Sequence, residues 1–496
     1  MNSSILHIGW ASADITPEQP VVITGQFYAR VSEGVMDPVT ATALALESAD
    51  PVPGSAGAAI LVSCDLVSIA DNLRDAVRER VAAQVPGLDP RAVCLSATHT
   101  HTAPETRIGD DPVRDGSRFG LSPEELGVMH ADDYVAFAAD RIADAAVRAW
   151  NERAPGGIGF GLAQATLGCN RRMCFANGQT VMYGNPNDPD FRHIEGSADP
   201  SLNLLCTYDG DRNLTGMVVN VACPAQVSMH EYQISADYWH EAREALRNRL
   251  GASLFILPQC SAAGDQNPLH PRIMIDWKAQ ERMWALMQST QRREMGDRIA
   301  NAVSGIVPHV GKAIAFAPQF GHRVDEVDIP CRTLREADVR DALAEAADWQ
   351  RKYDALRAEL DAQPERKQQP RWYRDISMAY RRMCWYRNVE TRFAKQQQTP
   401  FKTVELTHLR LGDLALTTNP FECYLDYGLQ IKARSPAVQT FIVQLAGGGS
   451  YLPTERAVAG GSYGAVPAST PIGPEGGQAV VEHALDALNT LWTDPS

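Results

Sequence analysis

The chain has 496 residues, 44% of them hydrophobic, enough for one large core or two moderate ones, so disorder is not the default. Its formal net charge of −14 and isoelectric point near 5.4 exclude a surface built to neutralise phosphates. Nucleic-acid and anionic-membrane binding both need clustered Lys and Arg.

The N-terminal run MNSSILHIGWASADITPEQP has no basic n-region and no apolar stretch of signal length. No later segment approaches the roughly 20 apolar residues of a membrane span. The ten cysteines are scattered, several within apolar runs such as ILVSCDLV, where a thiol packs as a small hydrophobe. A cytoplasmic protein with reduced thiols and no membrane insertion is expected.

Strand-like AAILVSCDLVSI is followed by helical NLRDAVRERVAAQV, strand-like AVCLSATHTHTA and helical DDYVAFAADRIADAAVRAW. That alternation predicts layered β-sheets flanked by helices, a mixed α/β fold. GIGFGLAQATLG, SLNLLCTYDG and LTGMVVNVACPA read as further strands, the last two joined by the turn sequence DGDRN. HEAREALRNRL reads as a helix, and ASLFILPQCSAAGD as a buried strand entering a small-residue turn.

Residues 333–399 shift to Arg, Glu, Ala, Gln and aromatics, which predicts two amphipathic helices broken at QPERKQQP. A helical hairpin inserted into one domain spanning 1–496 is the simplest account. A lid or dimer arm is the alternative, which leaves a homo-oligomer open. Strands return in TVELTHLRLGDLALTTNP and QTFIVQLAGG, and HALDALNTLW closes the chain as a helix.

Four segments could carry chemistry. In ATHTHTAP, strand alternation would point His99 and His101 to one face at a strand end, where two imidazoles can hold zinc; alternatively both bond nearby backbone. In SMHEYQISADYWHE, Asp237 and His240 could share a helix face, and His230 is a ligand candidate; Asp237 is equally suited to cap the helix. In QCSAAGDQNP, Ser261 could be a nucleophile, although no Gly-x-Ser-x-Gly pattern surrounds it. Glu422 in PFEC and Tyr451 in GGGSYLPT each follow a buried strand, as a carboxylate ligand or base and a phenol donor would.

Together with IGWASADITP, CNRR, ISADY and YLPTERAVAGGSY, these segments resemble the catalytic domain of the neutral, non-lysosomal ceramidase family. The resemblance runs nearly end to end, and the chain stops where that domain does, with no C-terminal β-sandwich. It implies a mixed α/β domain holding one zinc ion, with His99, Glu422 and Tyr451 as ligands. His101, Arg171 and Tyr463 are implied as pocket residues that orient substrate or the oxyanion, and Ser261 takes the approximate place of the family's serine.

One departure stands out: Pro224 in VNVACPAQ occupies the place of a ligand histidine, and a pyrrolidine cannot bind zinc. His230 is the expected replacement, with His101 as the alternative. The resulting expectation is a zinc-dependent hydrolase of an amide, ester or related bond in a small, polar, soluble molecule rather than ceramide. Two other readings stay open: a metal-dependent lyase or isomerase using His230, Asp237 and His240, and a binding protein that lost its metal at Pro224.

Overall fold

The computed structural model describes residues 4–107, 118–268 and 275–493. Numbering the principal elements in chain order, the first sheet is built from β1 (His7–Asp14), β2 (Thr40–Glu47) and β3 (Ala58–Cys64). Helix α1 (Asp71–Gln84) then crosses to β4 (Val93–Ala97), which lies parallel to β3. Helix α2 (Ala131–Asn151) covers the same face.

The second sheet repeats the pattern. β5 (Gly157–Gln164), β6 (Ser201–Tyr208) and β7 (Leu214–Val221) are antiparallel, and α3 (Tyr238–Leu250) leads to β8 (Phe255–Cys260), parallel to β7. Helix α4 (Gln291–Val310) packs beside α3.

The third sheet starts with β9 (Phe320–Pro330), followed by the paired helices α5 (Glu336–Ala362) and α6 (Arg374–Lys395). β10 (Phe401–Leu411) and β11 (Leu414–Thr418) come next, then the short β12 (Glu422–Cys423) and helix α7 (Leu425–Arg434). β13 (Gln439–Val443) lies parallel to β11, β14 (Tyr451–Leu452) pairs with β12, and α8 (Pro474–Trp492) ends the fold.

Residue alternation explains the layering. Leu44, Leu46 and Leu61 face a central core shared with Leu205, Val218, Leu257, Leu409, Leu416 and Phe441 of the other two sheets. Their neighbours Ala43, Ala45, Ile60 and Val62 face outward onto Leu73, Val77 and Ile142 of the helices. Each such Leu or Phe contributes roughly 1.5–3 kcal/mol when fully buried, so the three sheets are held face to face. The expected mixed α/β fold is therefore what the chain adopts.

Two strands end earlier than expected. After Cys64 the chain leaves the sheet because Asp65, fully buried, turns to accept Arg243 of α3 at 2.7 and 3.0 Å. β4 stops at Ala97, and His99 takes a left-handed conformation with φ 65°. The α5–α6 region docks on residues 29–31, which lie beside that turn: Ala29 N donates to Ser377 Oγ (2.9 Å) and Val31 N to Tyr373 Oη (3.2 Å), while Arg30 donates to His101 O. No helix among the described residues is long and apolar enough to cross a membrane.

Candidate active site

Each sheet contains one strand–helix–strand unit with parallel strands, and the carboxyl ends of these strands meet, the usual place for a site in open α/β sheets. Backbone bonds lace the ends together. Ala225 N donates to Thr98 O (3.2 Å), His101 N to Ala225 O (3.3 Å), and Gln444 N to Cys260 O (3.0 Å). Gly264 N donates to Cys423 O at 2.7 Å. A Cβ on Gly264 would stand 2.3 Å from Glu422 O, so the small residues of the 261–264 turn are what let Glu422 approach.

His99 and His101 converge, but not by strand alternation. The left-handed turn at His99 brings the rings together at 73°, with Nε2 atoms 3.3 Å apart. His99 Nδ1 lies 2.6 Å from Val67 O. A carbonyl only accepts, so Nδ1 carries the proton and Nε2 is a bare lone pair. Gln226 presents its carbonyl oxygen to Arg171 (3.4 Å) and its amide to His101 Nε2 (2.8 Å), so that nitrogen is an acceptor too. Glu422 Oε2 stands 3.5 Å from His99 Nε2. Gly25, at φ 97°, packs against the His101 ring, and Arg30 donates to His101 O.

Arg171 completes the inner layer. Its Nη2 donates to Gly264 O (2.8 Å) and Tyr451 Oη (3.4 Å), and lies 3.7 Å from Glu422 Oε2. Tyr451 and Tyr463 meet edge to face with centroids 5.4 Å apart. Burial pushes the Glu422 carboxyl up; a proton on His99 Nε2, with Arg171 and Tyr451, outweighs it and holds the carboxyl below the usual range, and a cation at that nitrogen would take the proton's place. Burial and the Glu422 charge raise both Tyr451 and Tyr463. Burial, then His99 and nearby arginines, pushes His101 well below the ordinary imidazole value, so its ring is neutral.

The donor set suits a cation. The bare His99 Nε2 and the Glu422 carboxylate, 3.5 Å apart, are two acceptors that repel one another unless a positive charge lies between. Zinc–nitrogen bonds of about 2.0–2.1 Å set tetrahedral donors roughly 3.3–3.4 Å apart, which both spacings at His99 match. His101 and Glu422 flank His99 without all three lying within 4.8 Å of one another, which puts His101 at the edge of the set.

Other expected residues are not brought here. His230 is an exposed residue whose backbone surroundings Arg30 fixes by donating to Met229 O (3.0 Å) and Glu231 O (2.7 Å); it lies near enough to act electrostatically on His101. His230, His99 and Glu422 form no set within 4.8 Å. Asp237 caps α3, accepting from Val227, Ser228 and Tyr238 amides at 3.2, 2.6 and 2.7 Å. None of its contacts reaches His101 or Glu422, and His240 sits one turn on, bonded only through its backbone to Asp237 O. The Ser261 hydroxyl is buried with no hydrogen-bond partner among the described residues, so none of them acts on it as a base.

Gln226, two residues after Pro224, reaches both Arg171 and His101, a contact that no motif in the chain singles out. A second omission is the trio Asp325, His408 and His483. It is the one group of three such ligand residues whose donor atoms all lie within 4.8 Å among the described residues.

Aromatic and cationic side chains surround Tyr463. Phe27 and Trp385 stack edge to face at 5.3 Å, and Phe27 meets Tyr463 at 5.6 Å. Arg382 of α6 lies 3.7 Å over Phe27 and 5.4 Å from Trp385. Arg107 feels both Glu422 and Tyr463. Neither arginine has a carboxylate within ion-pair distance among the described residues.

No family model matches the chain, and no curated protein sequence does. Among solved structures, neutral ceramidase from Pseudomonas aeruginosa is similar with a TM-score of 0.66 at 17% identity, covering 100% of this chain and 76% of that one. A ceramidase complexed with C2 gives a TM-score of 0.66 at 16% identity, covering 97% and 74%. The chain has the neutral ceramidase fold. The resemblance read from the THTH and PFEC segments is met at that level, across the whole length compared.

Proposed function

We propose that this protein is a metal-dependent hydrolase acting on an amide, ester or related bond of a small polar molecule that carries a negative charge. His99, Glu422 and Tyr451 hold a zinc ion, and His101 rather than His230 completes the set. The observation that carries this reading is the bare Nε2 of His99, 3.3 Å from that of His101 and 3.5 Å from Glu422. When bound, zinc polarises a carbonyl and lowers the pKa of water to about 7.

The protein side chains supply the rest. Glu422, held ionised, accepts a proton from attacking water. Arg171, fixed by Gly264 O and Tyr451, and the protonated Tyr463 phenol aim donors at a developing oxyanion, an effect worth about 10²–10³ in rate per donor. Arg107 and Arg382 favour an anionic group away from the reacting carbonyl. The fold likeness supports hydrolysis, and a lyase built on Asp237 loses support because that carboxylate is used in capping.

The test is chelation and reconstitution with two matched probes, glutaryl 4-nitroanilide and butyryl 4-nitroanilide. Zinc-loaded protein should cleave the anionic probe faster, lose activity with chelator, and place one labelled oxygen from water in the acid product. Cleavage indifferent to chelation overturns the metal-dependent reading.

A further inference from the structure

We infer that Asp325, His408 and His483 form a second divalent-cation site, suited to zinc, that joins α8 to the β9–β10 hairpin. It stands independently of the hydrolase reading: none of the three shares a hydrogen bond or ion pair with His99, His101, Glu422 or Tyr451.

Three separate elements deliver the donors. Asp325 lies in β9, His408 in β10 and His483 in α8. Asp325 Oδ2 is 2.9 Å from His483 Nε2 and 3.8 Å from His408 Nε2, and the imidazole centroids are 5.7 Å apart. These spacings bracket the roughly 3.3 Å between donors of a tetrahedral zinc ion.

The buried member points to a missing partner. His408 is fully buried; its Nδ1 meets the hydroxyl of Thr417, its cross-strand neighbour, at 3.0 Å, while its Nε2 has no hydrogen-bond partner. A buried imidazole nitrogen facing a carboxylate oxygen beyond hydrogen-bond reach is a donor without an acceptor or a ligand without an ion. An ion pair between His483 and Asp325 alone would leave that nitrogen unsatisfied.

The surrounding contacts suit an ion. Arg323 Nε donates to the other Asp325 oxygen at 2.7 Å, orienting the carboxylate while leaving Oδ2 for the cation. Two imidazoles and one carboxylate favour zinc or a neighbouring transition ion over calcium or magnesium, which prefer oxygen donors. The Asp325 and His483 side chains are 15% and 27% exposed, so an ion can enter and water can take the fourth position.

The test is zinc uptake by full-length, tag-free protein, stripped with chelator and dialysed against micromolar Zn²⁺. Wild type should exceed both His483→Ala and Asp325→Asn by one equivalent, while His99→Ala retains that equivalent. Because the comparison is a difference, loss of zinc from the active site neither mimics nor masks it. Equal zinc content in wild type and the two folded variants overturns the proposal. X-ray absorption at the zinc edge of the His99→Ala protein needs no change at this site: two imidazole ligands are expected, and a spectrum without them overturns it equally.

Discussion

The Nε2 atoms of His99 and His101 face each other at 3.3 Å, and each ring's remaining contact, Val67 O for one and the Gln226 amide for the other, leaves that nitrogen without a proton. The bare His99 Nε2 beside Glu422 makes a cation the natural occupant, and His101 joins it when its Nε2 lone pair turns from the Gln226 amide. His101→Ala should therefore weaken zinc binding about 10–100-fold or more, whereas His230→Ala should leave it unchanged. Competition against a calibrated zinc chelator measures both.

Gly264→Ala should be a damaging small change at the site. Its Cβ would meet Glu422 O at 2.3 Å and Glu422 C at 2.6 Å, both backbone atoms with nowhere to go. Overpacking of this kind costs about 1–3 kcal/mol. Activity should fall further than stability, since the displaced residue is Glu422; urea melts and probe turnover on the same preparation separate the two.

Ser261→Ala should be nearly silent. The hydroxyl has no partner to lose, so stability should change by less than about 1 kcal/mol and turnover by less than a factor of two or so, as expected when no nucleophile is removed. A collapse in turnover with zinc retained would make the serine, not water, the nucleophile.

Arg382→Ala should act on substrate choice. Its guanidinium lies over Phe27 at the Tyr463 side of the site, with Glu345 acting on it only from beyond ion-pair distance. The KM for glutaryl 4-nitroanilide should rise about tenfold, as loss of one charge contact of about 1.4 kcal/mol gives, while that for butyryl 4-nitroanilide stays put. Parallel effects on both probes would remove the anionic preference.

Much of the fold was legible because burial periodicity is local: Leu44, Leu46 and Leu61 alternate with Ala45 and Val62 on the page as they do between two cores. The THTH motif, Glu422 and Tyr451 were legible as strand-end donors. Gln226 was not, since a glutamine in a loop after Pro224 carries no signal until Arg171 is seen to orient it. Asp237 was legible only as an alternative, since a carboxylate just before a helix serves equally as ligand and as cap, and here it caps. Asp325, His408 and His483 are scattered over three elements, and only the pairing of β9 with β10 and the docking of α8 unite them.

Acid should destabilise the metal-free protein from below pH 6.5. His322 and His408 are pushed by burial from 6.5 down to about 4 and about 3. With folded values below unfolded ones, the unfolded chain binds more protons, so their contribution is complete above 6.5 and is lost as pH falls toward the folded values. Each contributes a slope of about 1.4 kcal/mol per pH unit in that window. Urea midpoints in the presence of chelator at pH 8, 6 and 5 check this, and His322→Gln should flatten the drop.

The most direct measurement is anomalous scattering at the zinc edge from crystals grown with stoichiometric zinc. A peak roughly 2.0–2.2 Å from both His99 Nε2 and a Glu422 carboxylate oxygen, with Tyr451 and His101 drawn toward it, is the predicted result. A map with those side chains ordered and no peak between them would contradict the metal-dependent hydrolase at its root.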